Sequence, residues 1–182
     1  MQIIYTTAVT FDELEQIQLL QAENHRSNLP IQVQTSDGFL TVKHSLQLLE
    51  QMNNVTPHMI AKDGDSVIGY ALGMSKDFVS KIPELSMMFE MIDLVKTDEW
   101  DLSTLDYIVM GQICIKKEYR GLGVFQGLYQ KYFETYKGLF PYVVTEVALR
   151  NTKSLHAHQK VGFRIIHQYI EDGVDEWAIL CY

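Results

Sequence analysis

Apolar residues along the chain recur at two periods, and the switches between those periods divide it into elements. Ile3 to Thr6 is a short extended run, and Leu14, Ile17 and Leu20 then fall at helical spacing, with Asp12 as the expected cap. After a polar segment from Asn24 to Gly38, a second helix is predicted over Val42 to Met52. Two extended runs, Met59 to Lys62 and Val67 to Met74, flank Asp63-Gly64-Asp65, which is the signature of a hairpin. Residues 75–106 read as an insertion in which Pro83 opens a helix through Leu94 and Lys96 to Asp106 is polar and acidic. Tyr107 to Ile115 is strand-like, Leu122 to Tyr136 helical, Tyr142 to Leu149 strand-like and Ser154 to Val161 helical. Two last strands, Arg164 to Ile170 and Asp175 to Tyr182, join through Asp172-Gly173. This order predicts an α/β (α+β) protein with a mixed sheet and helices on both of its faces.

A length of 182 residues with 47% hydrophobic residues suits one folded domain, and no repeat, linker or low-complexity tract marks a boundary within residues 1–182. The start, Met1 to Thr10, lacks a basic segment followed by an apolar one, and no eighteen apolar residues run together. A cytoplasmic protein without membrane partners is therefore expected. Cys114 and Cys181 sit singly in apolar runs, without the spacing of a metal site or a disulfide framework. The net charge of −8 is unevenly spread: residues 111–164 carry a local +6, residues 1–110 carry −10 and residues 165–182 carry −4. A basic stretch in an acidic chain suits a phosphorylated ligand and argues against a general nucleic-acid binder; chance clustering on solvated faces is the alternative.

Within the basic stretch, Gly111 to Leu128 reads as a strand that passes through a glycine turn into a helix. Gly121 and Gly123 permit a sharp turn and a close approach to the main chain. The helix that follows has free amides and a positive dipole end at its first turn, which together suit an anion such as a pyrophosphate. Lys116, Lys117 and Arg120 add charge on the approach, although a plain tight turn would have the same composition. The Gly-Lys-Ser/Thr ending of a P-loop is absent, and so is a three-glycine dinucleotide fingerprint after an early strand.

At this turn the chain resembles the GNAT superfamily of acyl-CoA N-acyltransferases, whose signature is Arg/Gln-x-x-Gly-x-Gly/Ala. Arg120-Gly121-Leu122-Gly123-Val124-Phe125 matches it except at the last position, where Phe125 replaces a small residue. A second, independent match is Asn151-Thr-Lys-Ser154-Leu-His-Ala-His158-Gln-Lys160-Val-Gly162-Phe163, in which Ser154 stands for the family's alanine and His158 for its tyrosine. The resemblance implies a mostly antiparallel twisted sheet of about seven strands, splayed between strands 4 and 5. It implies acetyl-CoA as co-substrate and no metal. Ile113, Cys114 and Ile115 would bind the pantetheine arm, and the amides of Gly121, Leu122, Gly123, Val124, Phe125 and Gln126, preceded by Arg120, would hold the pyrophosphate. Asn151 would contact the pantetheine or the amine. The acceptor would be a small-molecule or peptide amine, and a homodimer is common in the family.

Direct acetyl transfer needs a base for the amine, a polarised carbonyl and a proton for the thiolate. Glu146 is the only acid in the apolar run Tyr142 to Leu149, where burial would raise its pKa. In the branch that resembles ribosomal-protein alanine acetyltransferases, a glutamate at this distance before Asn151 acts as base. An acid merely paired with a nearby Lys or Arg is the plainer reading. His158 stands where many members carry the tyrosine that protonates the CoA sulfur; imidazolium would donate, neutral imidazole would accept, and simple packing is the other alternative. Cys114 as a covalent carrier lacks an evident activating base. Met87, Met88, Phe89 and Met91 would line an acceptor pocket or fill a core, and Glu23, His25, Asp106 and Tyr107 are topological candidates near the acceptor. An acidic acceptor side favours a cationic amine such as a polyamine, a lysine side chain or an aminoglycoside. The competing expectation is a non-catalytic acyl-CoA-binding domain of the same fold, motivated by Phe125 and by the missing tyrosine, and a further one is a donor other than acetyl-CoA.

Overall fold

The computed structural model describes residues 2–30, 32, 39–97, 101–171, 173 and 175–182. The end of the polar segment through Gly38, residues 98–100 of the acidic stretch and Asp172 of the last hairpin lie outside the described residues. Among the described residues seven strands form one sheet in the order β1-β2-β3-β4-β5-β7-β6. They are β1 (Ile3–Thr7), β2 (Met59–Asp63), β3 (Ser66–Met74), β4 (Tyr107–Ile115), β5 (Tyr142–Ala148), β6 (Arg164–Glu171) and β7 (Asp175–Cys181). The described α-helices are α1 (Phe11–Asn24), α2 (Leu46–Val55), α3 (Ser86–Leu94), α4 (Val124–Tyr136) and α5 (Thr152–Lys160). The sheet is mostly antiparallel, with β4 and β5 parallel over Tyr107↔Tyr142, Ile108↔Val143 and Val109↔Val144. That parallel ladder covers three registers. Among the described residues no helix is long and apolar enough to cross a membrane.

Met1–Gly73 and Met110–Tyr136 make one compact unit, and Met74–Val109 with Lys137–Tyr182 make a second. In the first unit, α1 begins two residues earlier than Asp12 implies. Thr10 is the cap: its Oγ1 accepts from the Glu13 amide at 3.2 Å, while Glu13 Oε2 accepts from the Thr10 amide at 3.1 Å. This reciprocal capping box satisfies two otherwise unpaired donors, and its Thr-x-x-Glu spacing outranks a lone aspartate. The second helix starts at Leu46, later than Val42, with Ser45 as cap. The reason lies in the preceding backbone, which is committed elsewhere: the Val42 carbonyl accepts from Gln112 Nε2 at 3.0 Å and the His44 amide donates to Gln21 Oε1 at 3.0 Å.

Leu14, Ile17 and Leu20 of α1 and Leu49 of α2 bury themselves with Ile60, Tyr70, Leu72 and Cys114 in a core on one face of the strands. Full burial of each large aliphatic side chain contributes roughly 1.5–3 kcal/mol. The alternate positions of β2 and β3 face α4 and are mostly small. A Cβ at Gly73 would stand 2.8 Å from Tyr136 Oη, and one at Gly69 would stand 3.4 Å from Leu128 Cδ1. These gaps admit a helix whose Tyr129, Tyr132 and Tyr136 are buried, with Tyr136 Oη donating to the Pro57 carbonyl at 2.6 Å. Gly127 completes the fit from the helix side, because a Cβ there would lie 2.2 Å from Tyr5 Cζ.

In the second unit β5, β7 and β6 form an antiparallel ladder. Pro83 opens a 3-10 turn that leads into α3, whose Met88, Phe89 and Ile92 are buried while Met87 and Met91 are half-buried. Lys76 ion-pairs with Asp93 at 3.0 Å and lies 4.2 Å over the ring of Tyr107, which holds the segment before α3 to the start of β4.

Candidate active site

The glycine turn belongs to the first unit. Along the distal half of β4, Gln112 and Cys114 are buried while Ile113 and Ile115 alternate with them as half-buried residues. The Lys116 amide then donates to the Ile68 carbonyl at 2.8 Å, a 3-10 turn covers Lys117–Tyr119, and Gly121 and Gly123 take φ of 78° and 80°. A side chain at such φ costs roughly 1–2 kcal/mol. An added Cβ at either position would meet no atom within 4 Å, so the space over the turn is open. The Gly127 amide donates to the Gly123 carbonyl at 3.0 Å, which makes Gly123 the head of the helical ladder. The amides of Val124, Phe125 and Gln126 therefore precede the first intrahelical donor, at the positive end of α4.

The side chains around this turn are mostly engaged with protein. Arg120 Nε donates to the Ile115 carbonyl at 3.1 Å and its Nη2 to Asn24 Oδ1 at 2.9 Å, so these donors tie the turn to the end of α1. Tyr119 donates to Asp63 Oδ2 at 2.9 Å, and Lys116 Nζ to Ser66 Oγ at 3.3 Å, which anchors the turn on the β2–β3 hairpin. Lys117 and Gln126 are exposed, Leu122 is 53% exposed and Val124 is buried. The ring of Phe125 lies 5.0 Å from that of Tyr129, one turn along α4. Burial pushes the Cys114 thiol up to about 12, so its thiolate is scarce at neutral pH, which disfavours a covalent carrier.

The second unit holds the titratable candidates. Glu146 is half-buried in the middle of β5 and accepts a hydrogen bond from the Tyr169 hydroxyl on Oε1. Burial raises its pKa to about 7, opposed by the Tyr169 bond and reinforced by the charge of Glu171. The plainer expectation of a Lys or Arg partner is replaced by a phenol. Asn151 caps α5, its Oδ1 accepting from the Ser154 amide at 3.2 Å. His158 is 1% exposed, with Nδ1 at 2.7 Å from the Ser154 carbonyl and its ring edge-on to Phe163. A carbonyl only accepts, so Nδ1 carries the proton and Nε2 the lone pair. Burial lowers this histidine to about 4, which keeps it neutral at pH 7.

The remaining candidates have structural partners or lie at the surface. His25 is joined to Ser27 and to the Thr41 carbonyl, Tyr107 donates to Asp93, and Asp106 is exposed. Tyr169 is the neighbour of Glu146 that sequence reasoning missed. The alternation His167-Gln168-Tyr169 places the two rings on one face, but only the register through β7 brings that face to Glu146.

Residues 23–163 match the Acetyltransferase (GNAT) family. No curated protein sequence matches the chain. Among solved structures it is similar to the ribosomal-protein-S18-alanine N-acetyltransferase from Escherichia coli, with a TM-score of 0.64 at 11% identity, over 99% of this chain and 92% of that one. An N-acetyltransferase from Staphylococcus aureus Mu50 gives 0.65 at 15% identity, over 100% and 98%. A Salmonella typhimurium protein, yncA, solved with its cofactor acetyl-CoA, gives 0.65 at 11% identity, over 99% and 92%. At these identities the likeness establishes the fold.

Proposed function

The chain belongs to the acetyltransferase (GNAT) family, and we propose that residues 1–182 act as one N-acetyltransferase domain that moves an acetyl group from acetyl-CoA to an amine by direct attack in a ternary complex. The observation that carries this reading is the turn before α4. It offers open space over two glycines and three successive helix-head amides, a main-chain cradle suited to a pyrophosphate. Acetyl-CoA would supply the acetyl group as a thioester. Main-chain groups of Ile113, Cys114 and Ile115 would line the pantetheine arm, and Arg120 would hold the turn in shape.

Glu146 serves in this reading as the general base, because a carboxyl near pKa 7 is ionised in part at neutral pH and still basic enough to take a proton. An α-ammonium of pKa about 8 gives up its proton to such a base at a cost of about one unit, whereas a lysine ammonium near 10.4 costs over three, or about 4–5 kcal/mol. Peptide N-termini and other weakly basic amines are therefore ranked above lysine side chains and polyamines. His158, buried and held neutral with its Nδ1–H engaged, is a poor proton acceptor and carries no proton on Nε2 to give, so protonation of the departing thiolate falls to solvent. Phe125, which motivated a non-catalytic alternative, has its ring against Tyr129.

The test is calorimetric titration with acetyl-CoA, CoA and 3′,5′-ADP, in the wild type and in Gly123→Trp. Binding of all three that weakens at least tenfold in the variant is the expected result. No binding by well-folded wild type would remove the cofactor from the proposal. Tight binding without transfer across a panel of amines would favour the non-catalytic domain.

A further inference from the structure

Glu146 and Tyr169 lie two strands apart on one face of the second unit's sheet. Glu146 stands opposite Ile179 on β7, and Ile179 stands opposite His167 on β6. Tyr169 is two residues further along β6, opposite Trp177. Adjacent strands are about 4.8 Å apart, so roughly 9–10 Å separates β5 from β6, a gap that only a long side chain bridges. Tyr169 crosses it and donates its hydroxyl proton to Glu146 Oε1, while its ring lies stacked with that of His167 at 6.4 Å and 19°. One oxygen of the carboxylate is thereby occupied by a side chain that is itself braced by a neighbour.

We propose that Tyr169 is a positioning residue for Glu146: its hydroxyl fixes the orientation of the carboxylate and stabilises its ionised form, leaving Oε2 to receive the proton of the amine. The proposal rests on the reading of Glu146 as the base. Among the described residues the charged and titratable surroundings are these. On β6 they are Tyr169, His167 and Glu171, of which Glu171 opposes ionisation of Glu146. On β7 the facing residues Trp177 and Ile179 carry no charge, Asp175 is paired with Arg150 at 3.0 Å, and burial pushes the Cys181 thiol up to about 11. On α5, His158 is neutral at pH 7. Tyr169 is thus the group whose bond opposes both the burial of Glu146 and the charge of Glu171.

Tyr169→Phe removes the donor and keeps the ring. Three measurements separate the possibilities: the titration midpoint of the Glu146 carboxyl by carbon-detected NMR, the pH profile of kcat/KM, and the activity of Glu146→Gln. A hydrogen bond to a charged group is strong enough to move a pKa by about one unit, so the Glu146 midpoint rises by that amount. The acidic limb of the profile should move with it, leaving activity roughly fivefold lower at pH 7 and near wild type by pH 9. An unmoved midpoint in folded protein, checked by thermal unfolding, overturns the proposal. A lower plateau with an unmoved limb also overturns it, since that is what a purely structural residue would give. Undiminished activity in Glu146→Gln would instead remove the base itself, whatever the midpoint does.

Discussion

The turn before α4 and the carboxylate on β5 present two ways of building a polar site. The turn presents its main chain: the space over Gly121 and Gly123 is open, while Arg120, Tyr119 and Lys116 reach back into the protein and hold the loop's shape. On β5 the main chain is consumed by the ladder with β7, and the polar character rests on one side chain tuned by burial and by a phenol two strands away. Binding an anion of fixed shape asks for several donors in fixed positions, which a backbone supplies. Moving a proton asks for one group of adjusted basicity, which a backbone does not supply.

The largest effect that would break this contrast comes from Glu146→Gln. An amide keeps an acceptor for Tyr169 yet cannot take a proton, so kcat/KM is expected to fall about 10²–10⁴-fold with acetyl-CoA affinity unchanged in calorimetry. Activity within tenfold of wild type would mean that β5 contributes shape alone. The same substitution has a stability consequence of definite sign. The folded pKa of about 7 lies above the usual 4.5, so the folded state favours the protonated carboxyl. The wild type accordingly loses stability as pH rises from about 4.5 through 7. Glu146→Gln should unfold at a higher temperature than wild type at pH 8 and at the same temperature at pH 4.

Arg120→Ala gives a smaller effect on the other arm. As a strut it leaves the Ile115 carbonyl and Asn24 without their donors, and roughly 1–3 kcal/mol of stability should be lost. If the amides do the binding, the salt dependence of acetyl-CoA affinity stays as in wild type; a shallower slope would show that the guanidinium itself neutralises phosphate. Smallest of all is Cys114→Ala, for which activity within about twofold of wild type is expected in steady-state assays. Loss of turnover there would revive the covalent carrier.

The contrast also explains what could be read beforehand. The glycine turn was legible because a main-chain site leaves its mark on local sequence: Gly121 and Gly123 sit where φ is positive, and no neighbour is needed to say so. The hairpin at Gly64 and the limits of β4 were legible for the same local reason. The start of α2 was not, because Gln112 and Gln21, distant in sequence, capture the backbone around Val42 and His44. Gly69, Ala71 and Gly73 alternate along β3 as small residues, a trace of the tyrosine-lined helix laid over them, but their partner is named only by the fold. Glu146 stood out as a lone acid in an apolar run, whereas Tyr169 depended on the registers of two ladders.

The position of Trp177 turns the second site into an optical instrument. This indole is the cross-strand neighbour of both Ala148 and Tyr169, so it lies beside the phenol that holds Glu146. The only other tryptophan is Trp100. With Trp100 changed to Phe, emission excited at the red edge of indole absorption, where the ten tyrosines do not absorb, comes from one tryptophan beside this pair, and its intensity can follow the carboxyl's ionisation in real time, without label or substrate.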